Sequence, residues 1–252
     1  MPLQALSNVT HRKLRFQNLA RPYAFAQDKL LASLVSSELS HALRHMPIGF
    51  SLNDGKASLV GLMGLAMNEN LFISMEGQWQ GGYIPASLRA APFGVMPNND
   101  GSGQVVVIQD EGGHFSETTG TLLFDDNGQA TEWLRNMLHF LNTYKRNEEM
   151  TARALVAITD ADLLQPWELS FTAPDGKPSK ISGLFQINLA RFDALDQLAL
   201  ANLYSTGALP LIYAHLFSLP NIASLEKMAR EREPFIPSNI ELGLLREDYL
   251  KF

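Results

Sequence analysis

The pattern of apolar and polar positions predicts a block of strands in the first half of the chain. Two apolar runs, 46–52 and 57–65, flank Asn53-Asp54-Gly55, which is typical of a tight hairpin turn. A third apolar run at 71–74 completes a predicted antiparallel meander. The β-branched run at 104–109 predicts a further strand.

Helical spacing of apolar residues surrounds this block. It predicts a first helix between Lys29 and His45 and a short helix at 84–91. Thr131 is expected to cap a long helix, whose apolar stripe runs from 133 to 158. The polar residues 145–149 within that helix indicate a bend.

The last third of the chain predicts a second hairpin followed by helices. Segments 167–172 and 179–188 flank Pro174-Asp175-Gly176, a turn sequence. Helices are expected at 189–205 and 209–232, with Gly207 ending the first of them.

The order of these elements predicts an α+β fold with a meander sheet, a long central helix, a second hairpin and a C-terminal helical pair. We expect one domain over 1–234 and a weakly structured tail over 235–252. The segment 208–219 is almost wholly apolar, which predicts a helix buried on all sides.

Composition narrows the class of protein. The net charge of -6 argues against nucleic acid as the main partner, because phosphate binding favours a basic balance. The absence of cysteine excludes disulfides, thiolate nucleophiles and cysteine-ligated metals. The apolar run 208–219 is shorter than the roughly 20 residues that span a bilayer, and the N-terminus lacks a secretion signal. The sequence therefore predicts a cytoplasmic protein without a membrane span.

The chain contains none of the common catalytic motifs, such as GxGxxG, GxxxxGK[ST], HExxH or GxSxG. Two Glu-x-x-His spacings occur, Glu38–His41 and Glu111–His114. Di-iron proteins use such pairs on facing helices, but only the first pair lies on a predicted helix. We therefore assign no catalytic residue or cofactor, and take Glu38 and His41 as a solvated helix face. A metal site at these four residues is the weaker alternative.

Polar and aromatic residues in apolar surroundings are the binding candidates. Arg44 and His45 precede a buried strand and either anchor it or form a pocket wall. Trp79 and Tyr83 flank a glycine pair; such aromatics either recognise a peptide or sugar or pack at an edge.

Two further binding candidates, Tyr213 and His215, lie in the apolar C-terminal helix. A buried imidazole needs hydrogen-bond partners for both nitrogens. Hence His215 is either a satisfied core histidine or part of an internal pocket.

The segment 42–50, which contains Arg44-His45-Met46-Pro47-Ile48, resembles a signature of the bacterial SapC family, although Met46 stands where an aromatic residue is usual. Further matching segments are 69–72, 77–79, 82–85, 122–128, 162–166, 183–187 and 207–219.

The resemblance implies little chemistry. The family takes its name from a gene linked to surface-layer protein export, and relatives lie near genes for outer-membrane uptake receptors and flavin-dependent halogenases. It implies no catalytic residue. We therefore expect a non-catalytic binding or adaptor protein of a surface-layer, secretion or nutrient-uptake system. Its partner would be a protein, a peptide or a small molecule.

The alternative is an enzyme with a histidine-lined, metal-assisted or oxidative pocket. It requires some of His41, His45, His114 and His215 to lie close together. The adaptor hypothesis instead predicts an exposed apolar patch around Trp79 and Tyr83 or in the tail.

Overall fold

The computed structural model describes residues 2–98, 103–110, 112–172 and 178–232, together with the backbone of 240–241. The helices within these residues are α1 (Leu39–Ala42), α2 (Ala86–Ala90), α3 (Glu132–Asp160), α4 (Leu189–Asp193), α5 (Gln197–Ser205), α6 (Ala208–Ser218) and α7 (Asn221–Glu231). The strands are β1 (Gln4–Ala5), β2 (Arg15–Phe16), β3 (Leu31–Ser33), β4 (Ile48–Asn53), β5 (Lys56–Leu62), β6 (Phe93–Pro97), β7 (Gln104–Ile108), β8 (Phe115–Ser116), β9 (Thr121–Leu122), β10 (Leu164–Thr172), β11 (Pro178–Ile187) and β12 (Ile240–Glu241).

These strands form three sheets. The largest has the order β10-β11-β4-β5-β3, and β12 pairs with β11 in parallel. The two smaller sheets are β1-β7-β6 and β8-β2-β9, and both are antiparallel. With the long α3 and the C-terminal helical pair, this arrangement is an α+β fold, as the sequence predicted.

The β4–β5 hairpin closes through the predicted turn. Asn53 pairs with Lys56, so Asp54 and Gly55 alone form the loop. Both have positive φ, 48° and 76°, which a type I′ turn requires and which aspartate and glycine tolerate better than most residues. The turn sequence therefore sets the register of the central strand pair.

Helix α3 packs against both major parts of the core. It begins where Thr131 Oγ1 accepts a hydrogen bond from the Leu134 backbone N–H. Its first half contributes Leu134 and Leu141 to the core beneath the small sheets, whereas its last turns contribute residues such as Ile158 to the core of the large sheet. The helix runs without a break through 145–149, so the polar residues there do not interrupt it.

The predicted helix between Lys29 and His45 is also wrong. This segment forms β3, a 3-10 turn at Ser36–Glu38 and the single turn α1. Leu31 pairs with Leu62 of β5, so β3 rather than the segment 71–74 lies beside the β4–β5 hairpin. That segment makes only one isolated bridge, between Ile73 and Trp79. The apolar residues recur at helical spacing because strand, turn and helix all face the same core.

Each predicted C-terminal helix is divided in two. Asp196 caps α5 by accepting from Ala199, which separates it from α4. Pro220 separates α6 from α7. The turn 174–176 and most of the tail 235–252 lie outside the described residues.

Helix α6 is buried on one side only, which corrects the prediction of full burial. Tyr213 and Phe217 are 44% and 68% exposed, because they face away from β4, β11 and α3, which cover the other side. No described helix is by itself long and apolar enough to cross a membrane. Helices α6 and α7 meet that criterion only as a pair bent by 47°.

On its buried side, α6 is joined to the large sheet by His215. Its Nδ1 lies 2.7 Å from the Ile48 carbonyl oxygen, and its Nε2 lies 3.4 Å from the Ile187 amide nitrogen. Since a carbonyl only accepts, Nδ1 carries the proton and Nε2 accepts from the amide. The ladder that pairs Phe50 with Phe185 would bring Ile48 opposite Ile187, so the imidazole bridges β4 and β11 where direct pairing ends.

We predict that His215→Ala destabilises the protein by about 3 kcal/mol, because it leaves two buried backbone groups without partners and opens a cavity. Burial lowers the pKa of His215 from 6.5, although the bond to Ile48 opposes this shift. The folded state therefore resists protonation, and wild-type stability should fall as pH drops through 6.5. Urea unfolding at several pH values measures both effects.

His139→Ala is the control, because His139 is exposed on α3. It should leave the unfolding free energy nearly unchanged. Equal small losses in the two variants would contradict the bridging role of His215.

Candidate functional site

A cleft of about 540 Å³ lies beside the middle of α3, where the helix passes between the two parts of the core. One wall is the segment from Val35 through α1, another is the segment from Gly81 through α2, and α3 closes the third side. The lining residues are Val35, Ser37, Glu38, His41, Gly81, Gly82, Tyr83, Ile84, Ala86, Arg89, Phe140, Thr143, Tyr144 and Asn147.

The carboxylate of Glu38 joins the first two walls. It is only 5% exposed, which corrects the interpretation of Glu38 as part of a solvated face. Its Oε1 accepts from the Val35 amide at 2.8 Å. Its Oε2 accepts from the Tyr83 hydroxyl at 2.7 Å and from the Ala86 amide at 2.8 Å. Three donors therefore compensate for much of the lost hydration of a buried charge.

Burial raises the pKa of Glu38 above its ordinary value of 4.5. The Ala86, Tyr83 and Val35 donors and the nearby Arg89 charge oppose this shift without cancelling it. The cleft thus contains a carboxylate that takes up a proton more readily than a solvated glutamate does.

Arg89 continues this network toward the surface. Its Nη2 donates to the Tyr83 hydroxyl at 3.3 Å, and its Nε donates to the Ile84 carbonyl at 3.1 Å. The guanidinium also lies over the Phe140 ring, 5.1 Å from its centre. Burial, together with the Glu38 charge, raises the pKa of Tyr83 to about 12, so this phenol stays protonated and connects cation to carboxylate.

Tyr144 lines the cleft on the α3 side, and its hydroxyl forms no hydrogen bond with the described residues. Its ring stacks with Phe140, one helical turn earlier on α3, at 6.3 Å between centroids. The hydroxyl is also buried. Burial, then the charge of Glu148, raises the pKa of Tyr144, which keeps the hydroxyl protonated. A buried tyrosine hydroxyl usually has a partner, so this donor can serve a molecule in the cleft once the side chains that cover the oxygen move aside.

Three residues, Arg44, His41 and His45, lie at the outer side of the cleft. The His41 ring stacks on Tyr83 at 5.5 Å between centroids, and its Nδ1 lies 3.4 Å from Arg44 Nη2. The His45 ring packs against Gly82, where an added Cβ would approach His45 Cε1 to 2.3 Å. Glycine at position 82 therefore allows the two walls to approach each other.

Trp79 lies behind the cleft and does not line it. Its ring stacks on Phe72 at 5.3 Å, and its Nε1 has no partner in the described part of the chain. Gly81 separates it from the cleft, since a Cβ there would lie 2.8 Å from Trp79 Nε1.

The SapC family model matches residues 6–225, which is most of the chain. The chain belongs to the SapC family. No similarity to a curated protein or to a solved structure was found. The family assignment confirms the resemblance seen in the sequence, and two of the segments that carry it, 42–50 and 82–85, meet where His45 packs against Gly82.

The other predicted residues of this SapC-family protein lie elsewhere. His215 bridges two strands, and Tyr213 packs edge-on against Phe192 at the surface. His114 contacts Asp110, whose carboxylate accepts from the His114 and Phe115 amides and closes the loop.

Glu111 lies outside the described residues. Within the residues that are described, no three His, Asp or Glu side chains converge as a metal site would require.

The sequence pointed to Glu38, His41 and Tyr83 as separate candidates but did not predict that they line one cleft. It missed Arg89, Phe140 and Tyr144 altogether. The spacing of Phe140 and Tyr144 resembles that of any apolar helix stripe, and Arg89 looks like an ordinary exposed residue of a short helix. Only the packing of α2 on α3 reveals their shared cleft.

We predict that the stability advantage of the wild-type protein over Glu38→Gln shrinks as pH rises from about 4.5. Because the folded-state pKa of Glu38 is raised, the folded state binds this proton more tightly than the unfolded state. Its contribution to stability is therefore lost as pH rises through the raised pKa. Urea unfolding of both proteins across pH 4 to 8 tests this, and an advantage that grows with pH would contradict it.

Proposed function

We propose that this SapC-family protein is a non-catalytic binding or adaptor protein that recognises a peptide or a small ligand in the cleft beside Glu38. The observation that carries the proposal is one open cleft in which a fixed guanidinium and an unused buried hydroxyl face apolar side chains. The lining also includes polar side chains such as Ser37, Thr143 and Asn147, and polar groups of this kind orient a ligand within a cleft.

Two further features support binding. The hydrogen bonds to Glu38 and the close packing of His45 on Gly82 hold the cleft walls together. A ligand would therefore meet a largely formed site. Exposed apolar side chains, which a partner protein could cover, occur on α5 and α6 at Leu198, Tyr204 and Phe217, and Met75 is exposed in the turn before Trp79.

The association with surface-layer export, secretion or nutrient uptake, and the cytoplasmic location, belong to the same proposal. They rest on the family name and on the sequence.

An enzyme acting in this cleft is the second candidate. The buried Glu38, with its raised pKa and its bond to Tyr83, is the kind of group that transfers protons in active sites. The histidine-lined version has less support. His114 pairs with the Asp110 carboxylate at 3.3 Å, and His215 binds two backbone groups. Both lie in other parts of the fold, whereas His41 lines the cleft.

We predict that Ser37→Trp abolishes binding. Ser37 is exposed on the cleft lining, so a tryptophan there fills the opening without removing an internal contact. The tagged protein would be purified from its own host, and bound small molecules and proteins quantified by native mass spectrometry. We expect a bound species with the wild type that is reduced at least tenfold in the variant.

Ser40→Trp is the matched control, because Ser40 is exposed on α1 and does not line the cleft. It should retain the bound species at the wild-type level, with the same melting temperature as Ser37→Trp. Equal retention by both variants would contradict the cleft as the binding site.

A further inference from the structure

Arg89 is a fixed cation without a carboxylate partner. Two hydrogen bonds and two aromatic rings, Tyr83 and Phe140, hold its guanidinium. No carboxylate in the described chain lies within ion-pair distance of it, unlike Arg191, which pairs with Asp162. Its Nη1 has no hydrogen-bond partner among those residues. This end of the guanidinium can therefore donate to an oxygen anion.

The acidic groups nearby do not occupy that position. Both oxygens of Glu38 are bonded to donors of the protein, and the Tyr83 hydroxyl lies between Glu38 and Arg89. Glu148 is paired with Lys145 at 3.1 Å. The cleft thus has two donors without a protein partner among the described residues, Arg89 Nη1 and the Tyr144 hydroxyl, beside the polar side chains of Ser37, Thr143 and Asn147.

The number of donors and charges favours one kind of anion. Arg89 is the lining's single arginine or lysine among the described residues, and Glu38 is its single carboxylate. Because donors of the protein already bind both Glu38 oxygens, the Nη1 end of Arg89 can hold one further carboxylate. A phosphate dianion would bring a second charge for which this lining holds no further arginine or lysine. Val35, Ile84 and Phe140 supply apolar contact beside the donors.

We infer that the cleft binds a carboxylate attached to an apolar body, with Arg89 holding the carboxylate and Tyr144 donating a second hydrogen bond to the ligand. This inference rests on the proposed binding function and specifies its ligand class. The carboxylate can belong to a free small acid or to the C-terminus of a peptide, which share this chemistry.

Titrations followed by ¹H–¹⁵N NMR test the inference with pairs that differ only at the carboxylate. The probes are hexanoate and hexanamide, N-acetyl-leucine and its amide, and the peptide Gly-Gly-Leu with a free or amidated C-terminus. We expect each acid to bind at least about tenfold more tightly than its amide, as a charged hydrogen bond allows. The shifted amides should lie around Val35, Ile84 and Tyr144. Preference among the three acids distinguishes a free acid from a peptide end.

Arg89→Gln should remove the difference between acid and amide, and Tyr144→Phe should weaken acid binding roughly threefold by removing a neutral hydrogen bond. Arg135→Gln is the control, because Arg135 is exposed on α3 and does not line the cleft. It should bind the acids like the wild type.

Amides that bind as tightly as the acids would overturn the carboxylate inference while leaving the cleft as a binding site. So would acids that fail to shift cleft residues at millimolar concentration, or equal binding by Arg89→Gln and Arg135→Gln. The proposed function fails separately, if Ser37→Trp retains the species bound in the host.

Discussion

The carboxylate of Glu38 is the constraint on which the cleft depends. A charge buried to this extent is tolerated only where donors surround it, and here they come from Val35, Tyr83 and Ala86. The Tyr83 and Ala86 donors are 45 and 48 residues distant along the chain. One side chain therefore fixes the exit of β3 relative to the start of α2. Its requirement for donors also explains why the Tyr83 hydroxyl points inward and is available to Arg89.

Helix α3 determines where this arrangement opens to solvent. Its two ends pack into different parts of the core, and in its middle Tyr144 packs against Val35 and Ala86. Thr151 reinforces this contact by accepting from the Ser36 amide at 2.8 Å. The cleft is consequently bounded by secondary structure on the α3 side and by a hydrogen-bonded turn on the other. Such rigid walls suit recognition of a defined ligand.

Local signals predicted much of the fold. The turn at Asp54 and Gly55, the cap at Thr131 and the glycine at 207 all act within a few residues, and the structure confirms them. The prediction of a first helix at 29–45 was wrong because β3, the following turn and α1 each bury apolar residues in the same core. The resulting spacing of apolar residues does not distinguish a strand from a helix. Contacts between distant segments, such as Arg89 with Phe140, leave no pattern in a single sequence. The site was therefore recognised only in part, through Glu38, His41 and Tyr83.

Site-specific photo-cross-linking in the protein's own host tests the central claim, that recognition takes place in this cleft. A photoreactive phenylalanine analogue at Asn147, which lines the cleft, would be compared with the same analogue at Asn136, which is exposed on α3 and does not line it. We expect a defined cross-linked species from position 147 that is absent from position 136. The same species from both positions, or from position 136 alone, would contradict recognition in the cleft.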